Sequence, residues 1–446
     1  MNETREAEKH TKPGHLHGIS VFVREKILDN KHYKWYRRGM WAISLLWAGY
    51  VTVQSIPFYT FVGAGEQAYK RGDYVTAEEQ LRAAYRESER FSPKDPRRAK
   101  ATNNLAELYR TLGRYAQAEP YYQKTVTLAE SLGENRKEYP ISLSNLGTLY
   151  RDEGKYQESE KIFLKALDIW DKKIKQQDDP LRSAILNGLG KLRRDEGRYA
   201  DAETYYKEAL RIKQKAFGNN DVEIAGMLDN LAGVCRDEGR YAESECFYRR
   251  ALSIDETALG KDHPETATDK NNLAGLMREI GQYKVARPLY KEALRVRQLR
   301  LGPTHPQVAK SLCGLGELDL ASGNSDDAVR LFKQALEIQT KALGLMHPET
   351  ATTEDALGMT YLKQGNLTLA KEYIDKSAET RKKVLSPQHP DFGTSLRHQA
   401  ALAMKEGHQK EAVALLQESL SVLRAALGEN HPLTKSTESD LKTISG

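Results

Sequence analysis

A glycine that recurs at nearly constant intervals is the feature that most restricts how this chain can fold. Neighbouring members of the series are 41 to 43 residues apart, and they are Gly72, Gly113, Gly154, Gly197, Gly239, Gly281, Gly323, Gly365 and Gly407. A small residue follows each glycine by five positions, as Ala77 follows Gly72. A fixed period of this length indicates a stack of similar structural units rather than two or three unrelated domains. The sequence therefore predicts nine units.

Apolar residues flank these glycines at helical spacing. Leucine stands eight residues before most of them, as Leu146 stands before Gly154, and the next residue is Gly or Ala. A bulky apolar or aromatic residue follows the glycine by nine positions, as Phe163 does. Because both flanks follow the spacing of a helix, each unit is predicted to be a helix, a tight turn and a second helix.

The order of these residues resembles that of tetratricopeptide repeats. Leucine, a small residue, glycine, tyrosine, a small residue and an aromatic residue recur in this order over roughly residues 60–446. Linkers such as ALGKDHPETA and ALGLMHPETA are similar to those of the kinesin light chain type. The resemblance implies an all-α fold, a right-handed superhelical solenoid of about nine helix pairs. No sustained heptad segment precedes the repeats, so the resemblance does not imply that this chain associates with a motor protein.

Five of the eleven histidines belong to the same repeat. Each stands 42 residues from the next and directly before a proline, and they are His263, His305, His347, His389 and His431. A polar residue followed by proline is typical of a helix N-cap and the first helical position, where the missing N–H of proline costs nothing. Residues one unit apart are displaced along a solenoid, so we predict helix caps here rather than a metal site.

The N-terminal segment has a different composition from the repeats. Residues 1–38 carry nine basic and five acidic side chains, and residues 39–65 contain no charged residue at all. An uncharged run of this length is long enough to cross a bilayer. We therefore predict a basic segment at residues 1–38 and a transmembrane helix at residues 39–60. A helix packed on the first unit and a cleaved signal peptide are the alternatives.

Flanking charge predicts the orientation of such a membrane protein. Residues 24–38 contain six Lys and Arg residues, whereas residues 66–80 contain two. By the positive-inside rule the N-terminus is expected in the cytoplasm, with the repeats on the opposite side of the membrane. The repeats are assigned to residues 61–430. Residues 431–446 begin as another helix and then become polar, as expected of a capping helix.

Catalytic and cofactor motifs are absent from the sequence. There is no Walker A loop, no GxGxxG, no HExxH, no GxSxG and no CxxC pair, and the three cysteines are Cys235, Cys246 and Cys313. The formal net charge of +6 is small for 446 residues, which argues against nucleic acid as a partner. We predict a protein that is not an enzyme and holds no cofactor and no metal.

One face of each first helix is rich in polar residues. Residues ten, nine, six, three and two before the glycine are expected to face the concave groove of the solenoid. Nine or ten before it stand Asn104, Asn145, Asn187, Asn230 and Asn272. Three before it stand Arg110, Arg151, Arg194, Arg236 and Arg278. Amides can hold an extended peptide backbone, and guanidinium groups can hold carboxylates.

In the last three units the groove-facing residues are apolar. They are Leu320, Met359, Leu362 and Met404, joined by Ala401. The sequence therefore predicts a groove for a segment with an acidic half and an apolar half. The resemblance supports this prediction, because kinesin light chain repeats bind short, often acidic peptides in this groove. The alternative is that each arginine pairs with an acidic residue of the adjacent unit.

These observations predict a membrane-anchored, non-enzymatic scaffold that binds a partner protein in its groove. One alternative is a structural or assembly subunit of a larger membrane complex that uses the convex surfaces of the solenoid. Another is a soluble sensor or chaperone adaptor whose N-terminal helix packs on the array. The partner, the pathway and the oligomeric state do not follow from the sequence.

Overall fold

The computed structural model describes residues 56–445, and these residues form helices joined by short turns, without a strand. The chain divides into two compact segments, Met1–Thr60 and Phe61–Gly446. The second segment contains the repeats and is an all-α helical solenoid. The all-α prediction is confirmed, and the handedness of the superhelix stays a prediction.

Nineteen helices in the described part form nine consecutive pairs and a final helix. The pairs, which we number units 1 to 9, are α1 (56–70) and α2 (Tyr74–Ser88); α3 (Pro96–Thr111) and α4 (Tyr115–Leu132); α5 (Glu138–Asp152) and α6 (Tyr156–Ile169); α7 (Pro180–Asp195) and α8 (Tyr199–Phe217); α9 (Val222–Asp237) and α10 (Tyr241–Ala258); α11 (Pro264–Glu279) and α12 (Tyr283–Leu301); α13 (Pro306–Ala321) and α14 (Ser325–Ala342); α15 (Pro348–Lys363) and α16 (Leu367–Val384); α17 (Pro390–Glu406) and α18 (Gln409–Leu427). The final helix is α19 (Pro432–Ser445), and a π-helical turn, Trp170–Ile174, extends α6.

The repeated glycine lies at the turn between the two helices of each unit. Gly239, for example, has φ 75°, a left-handed backbone conformation that residues with a Cβ rarely adopt. The Gly239 N–H donates to the carbonyl of Arg236, which closes the end of α9. The series of glycines in the sequence therefore marks a series of helix C-termini.

Small residues make room for the bulky residue of each second helix. A Cβ on Gly147 would lie 3.1 Å from the ring of Phe163, and Gly188 of the next unit faces the same ring from the other side. Phe163 is completely buried between these two first helices. The pairing of a small residue with an aromatic residue is thus what holds the two helices of a unit at close distance.

The histidines before proline cap helices, as predicted. Nδ1 of His347 accepts a hydrogen bond of 3.0 Å from the backbone N–H of Glu349, and Pro348 is the first residue of α15. The other four make the same cap at 3.0 to 3.2 Å. Asp95 and Asp179 do so in units 2 and 4 through a carboxylate oxygen. These caps satisfy N–H groups that would otherwise lack a partner.

The solenoid returns to its own start after six units. Gly72 in unit 1 faces His305 of unit 7, and Gly113 in unit 2 faces His347 of unit 8. The Ser386 N–H of unit 9 donates to the carbonyl of Glu153 in unit 3 at 3.0 Å. We call units 1 to 6 the first coil and the following residues the second coil. The second coil therefore lies directly against the first.

The predicted transmembrane segment, residues 39–60, lies outside the described residues except for residues 56–60. Those five residues are helical and form the first part of α1. None of the helices in the described part is both long and apolar enough to cross a bilayer. The fold that the structure supports is accordingly the solenoid alone, and a membrane helix as part of the fold is not supported.

Candidate functional site

A cavity of about 840 Å³ lies between the helices of the second segment. Its wall is formed mainly by the first helices of units 4 to 8, which are α7, α9, α11, α13 and α15. Because one coil contains six units, five consecutive first helices surround most of this space. Some of the residues that the sequence assigns to the groove line this cavity.

The structure places three of the predicted asparagines at the wall of this cavity: Asn187, Asn230 and Asn272. Nδ2 of Asn230 donates to Oδ1 of Asn187 at 2.8 Å, and Nδ2 of Asn272 donates to Asp229 at 3.0 Å. Asn104 and Asn145 do not line this cavity. They donate to Glu66 and Asn103 in the preceding units. The asparagines thus form hydrogen bonds from one unit to the next.

The predicted arginines are likewise paired from one unit to the next. Each of the five contacts an acidic residue of the following unit, and the pairs are Arg110–Asp152, Arg151–Asp195, Arg194–Asp237, Arg236–Glu279 and Arg278–Glu317. Their side chains are 15% to 30% exposed. The geometry is that of the structural pairing named above as the alternative. Arg194, Arg236 and Arg278 still line the cavity, whereas Arg110 and Arg151 do not.

Two lysines of the cavity wall differ from these arginines. Lys191 and Lys310 have no carboxylate within ion-pair distance in the described part of the chain. Burial lowers the pKa of Lys191, with the positive charge of Arg151 acting in the same direction. Lys191 stands six residues before its glycine, a position that the helical spacing assigns to the groove. The sequence therefore indicated that Lys191 faces the groove, although Lys191 was not among the predicted site residues.

The apolar residues of units 7 to 9 largely pack against one another. Leu320, Met359, Leu362 and Ala401 pack in one hydrophobic cluster around Leu357 and Tyr361. Met404 alone of the predicted residues is exposed, with 39% of its surface accessible. None of the predicted apolar residues lines the cavity. Leu320, Met359 and Ala401 are partly buried in this cluster and Met404 is exposed, so an apolar half of the groove stays a prediction.

Three carboxyl groups lie together at the cavity, on Asp229, which lines it, and on the buried Asp255 and Asp269. Asp255 and Asp269 are 5% and 3% exposed. Burial raises the pKa of Asp269 to about 9, and the negative charges of Asp229 and Asp255 add to the effect. Asp269 is therefore protonated at neutral pH and donates a hydrogen bond to Asp229. Among the described residues no three His, Cys, Asp or Glu side chains are placed to hold a metal ion.

Asp269→Asn is expected to raise the melting temperature at pH 7 to 8. The unfolded chain loses this proton near pH 3.9, whereas the folded chain keeps it up to the raised pKa. The folded state thus binds more protons, and its stability falls as the pH rises between these values. The amide of asparagine donates to Asp229 without that penalty. Melting curves from pH 5 to 9 should show a smaller decrease for the variant than for the wild type.

The exposed Asp262 provides the matched control. Its partner Arg295 lowers its pKa, so Asp262→Asn should not stabilise the protein at any pH in this range. A variant Asp269→Asn that melts below the wild type at pH 8 would contradict the protonated state of Asp269.

Comparison with known families identifies the type of repeat to which the helix pairs belong. The tetratricopeptide-repeat family model matches residues 59–131, 138–215, 223–298, 270–341 and 349–425. These matches cover well over half of the chain. The chain belongs to the tetratricopeptide-repeat family. The resemblance derived from the glycine series is thereby confirmed, and no curated protein matches the chain.

Solved structures similar to this tetratricopeptide-repeat chain include kinesin light chain-like proteins. BtubC (BKLC) from P. vanneervenii is 26% identical, with 51% of this chain and 91% of that chain covered and a TM-score of 0.42. A putative kinesin light chain with nearly identical TPR-like repeats from Podosopora anserina is 24% identical, with 44% and 94% covered and a TM-score of 0.37. A Rap protein complexed with Competence and Sporulation Factor is 15% identical, with 78% and 97% covered and a TM-score of 0.49.

Proposed function

We propose that this protein is a non-enzymatic scaffold that binds an extended, acidic segment of a partner protein in the concave cavity of units 4 to 8. Membership of the tetratricopeptide-repeat family is consistent with a role in protein–protein interaction. The finer proposal concerns where the segment lies and which charge it carries. It is supported by the composition of the cavity wall.

The observation that carries the proposal is the excess of basic side chains at this wall. Five basic residues line the cavity, Lys191, Arg194, Arg236, Arg278 and Lys310, against three acidic ones, Asp229, Glu317 and Glu349. Asp229 shares the Asp269 proton, and Glu317 is paired with Arg278. Lys191 and Lys310 have no paired carboxylate in the described part of the chain, and such charges in a low-dielectric wall attract an anionic ligand. The asparagines that remain at the wall can bind the backbone of such a segment.

The arginine pairs are compatible with this proposal. Arg194 donates from Nε to Asp237 at 2.6 Å, and this bond leaves the two terminal nitrogens of the guanidinium group without a carboxylate. Arg236 shares the same aspartate at 3.1 Å. The Asp237 carboxylate therefore accepts hydrogen bonds from two guanidinium groups, and both groups retain N–H donors for a ligand carboxylate.

Asp237→Asn is expected to raise the affinity for an acidic ligand. A fluorescein-labelled decaglutamate peptide serves as the probe, and decalysine serves as the peptide of opposite charge. We expect decaglutamate to bind the full-length wild type and decalysine not to bind, with an affinity that falls as salt is added. Removing the Asp237 charge leaves Arg194 free for the probe, and Arg236 keeps only its contact with Glu279 at 3.7 Å. Fluorescence anisotropy should show a decrease in Kd of several fold, on the order of 1 kcal/mol.

The control is Asp201→Asn, which removes a carboxylate from the second helix α8. Asp201 is exposed and pairs with Arg198, and it does not line the cavity. This variant should bind decaglutamate as the wild type does. Equal binding of decaglutamate and decalysine, or an equal gain in both variants, would remove the cavity from the proposed function.

We also propose that residues 39–60 anchor the scaffold in a membrane, with the N-terminus in the cytoplasm and the repeats on the opposite side. The support is the uncharged run of residues 39–65 and the basic residues before it. Fractionation of cells that express the full-length chain tests this proposal. We expect the chain in the membrane fraction after a carbonate wash, and recovery in the soluble fraction would contradict the anchor.

A further inference from the structure

The histidines before proline make a second contact besides the helix cap. In units 7 to 9 and before the final helix α19, the ring of the histidine lies on the turn glycine six repeats earlier. The pairs are His305 on Gly72, His347 on Gly113, His389 on Gly154 and His431 on Gly197. Nε2 of His347 lies 2.9 Å from the carbonyl oxygen of Thr111, the second residue before Gly113. Each histidine therefore joins the second coil to the first.

This contact requires a glycine and a neutral histidine. A Cβ on Gly113 would lie 2.7 Å from Cδ of Pro348 and 3.1 Å from Cδ2 of His347. Nδ1 of His347 accepts from the Glu349 N–H, so Nε2 carries the proton and donates to Thr111. An aspartate cap satisfies the helix end equally well, but its carboxylate has no N–H to donate to a carbonyl of the other coil. Asp95, Asp179 and Asp221 accordingly cap units 2, 4 and 5, which have no earlier coil to contact.

Among the leucines before these caps, Leu343 and Leu385 show the same division, whereas Leu301 and Leu427 are half-buried. One leucine of the linker stands in every unit from 5 to 9, and Leu343 and Leu385 of the second coil are 7% and 6% exposed. Leu259, the equivalent residue of the first coil, is 36% exposed. Leu385 packs with Leu108 and Leu112 of unit 2. The burial of this leucine therefore depends on the contact between coils.

We propose that the four histidine–glycine pairs form a clasp that holds the second coil on the first and so sets whether the solenoid is closed or open. In the closed state the wall of the cavity combines helices of both coils, from units 4 to 6 of the first and units 7 and 8 of the second. A segment enters from an open end, or after the clasp has opened. The statement about entry rests on the proposed function, whereas the clasp itself does not.

The turn glycines provide variants with a matched control. Gly113→Ala/Gly154→Ala places two methyl groups against His347 and His389. Gly239→Ala/Gly281→Ala imposes the same backbone strain, since all four residues have φ between 65° and 82°, but no atom lies within 4 Å of either new Cβ. The difference between the two double variants is therefore the contact between the coils.

Amide hydrogen exchange of the full-length chain, without any ligand, measures how readily the clasp opens. The Ser386 N–H, which donates to Glu153 across the coils, should exchange about tenfold faster or more in Gly113→Ala/Gly154→Ala than in the control. Small-angle scattering should show a larger radius of gyration for the same variant. Equal exchange at Ser386 in the two double variants would overturn the clasp.

Substitutions of the histidines test the same contact from the second coil. Aspartate is the replacement because it keeps the helix caps intact. His347→Asp/His389→Asp retains a capping carboxylate but loses both Nε2 atoms. His263→Asp is the control, because His263 begins the same HPETAT motif as His347 and no turn glycine of the described residues lies against it. We expect faster exchange at Ser386 in the double variant alone. An unchanged rate there would overturn the proposal even if the glycine variants failed to fold.

Discussion

Phe163→Ala is expected to lower the free energy of unfolding by about 3 to 5 kcal/mol. Its ring is completely buried and fills the space above two glycines, Gly147 of its own unit and Gly188 of the next. Since neither glycine has a side chain that can move into the void, the cavity stays open in the variant. Denaturation with guanidinium, followed by circular dichroism, measures the change.

Leu164→Ala is the matched control for this prediction, because the adjacent Leu164 is 41% exposed. It should cost less than about 1 kcal/mol. Units of a solenoid interact mainly with their neighbours, so hydrogen exchange should increase in units 3 and 4 before it increases in unit 6. Equal losses for Phe163→Ala and Leu164→Ala would show that the aromatic residue does not set the distance between helices.

Lys191→Ala/Lys310→Ala is expected to weaken binding of decaglutamate on the order of 100-fold. Each lysine lines the cavity without a carboxylate at ion-pair distance in the described residues, so each can make one charge-assisted contact with the peptide. Such a contact is worth about 1.5 to 3 kcal/mol, which is tenfold or more in affinity. Stability should change little, because no internal ion pair is lost. Anisotropy and thermal melting on the same samples measure both quantities.

Lys172→Ala/Lys341→Ala is the control for this double variant. Both lysines are exposed, and each forms an ion pair within its own second-helix region, away from the cavity. Loss of these charges lowers the net charge of the protein by the same amount as the cavity variant does. If both double variants weakened decaglutamate binding equally, the effect would come from net charge and not from the groove.

The regular part of the fold was predictable because every unit repeats the same local rules. The glycines predicted the turns, Leu146 and Phe163 predicted the packing of a helix pair, and the histidines before proline predicted the caps. These features depend on residues close in sequence, for which helical spacing is a sufficient guide. The contact of His347 with Gly113 was not predictable, because it depends on how many units complete one coil.

The candidate site was predicted only in part for a similar reason. Helical spacing placed Arg194 and Asn230 on the concave face, and both line the cavity. It could not show that Asp237 would lie 2.6 Å from Arg194, or that Leu362 would be buried by its neighbours, because both results depend on the distance between adjacent units. Lys191 occupies a groove position without a partner, and the absence of a partner is visible only in the structure.

Photo-crosslinking of a decaglutamate peptide that carries benzoylphenylalanine at its centre tests the central claim most directly. The full-length protein is irradiated with the peptide at low salt, and the attachment sites are identified by mass spectrometry. A ligand in the groove should attach to the first helices α9, α11 and α13, and Lys191→Ala/Lys310→Ala should reduce the yield. Attachment mainly to second helices, unchanged by that double variant, would contradict binding in the concave cavity.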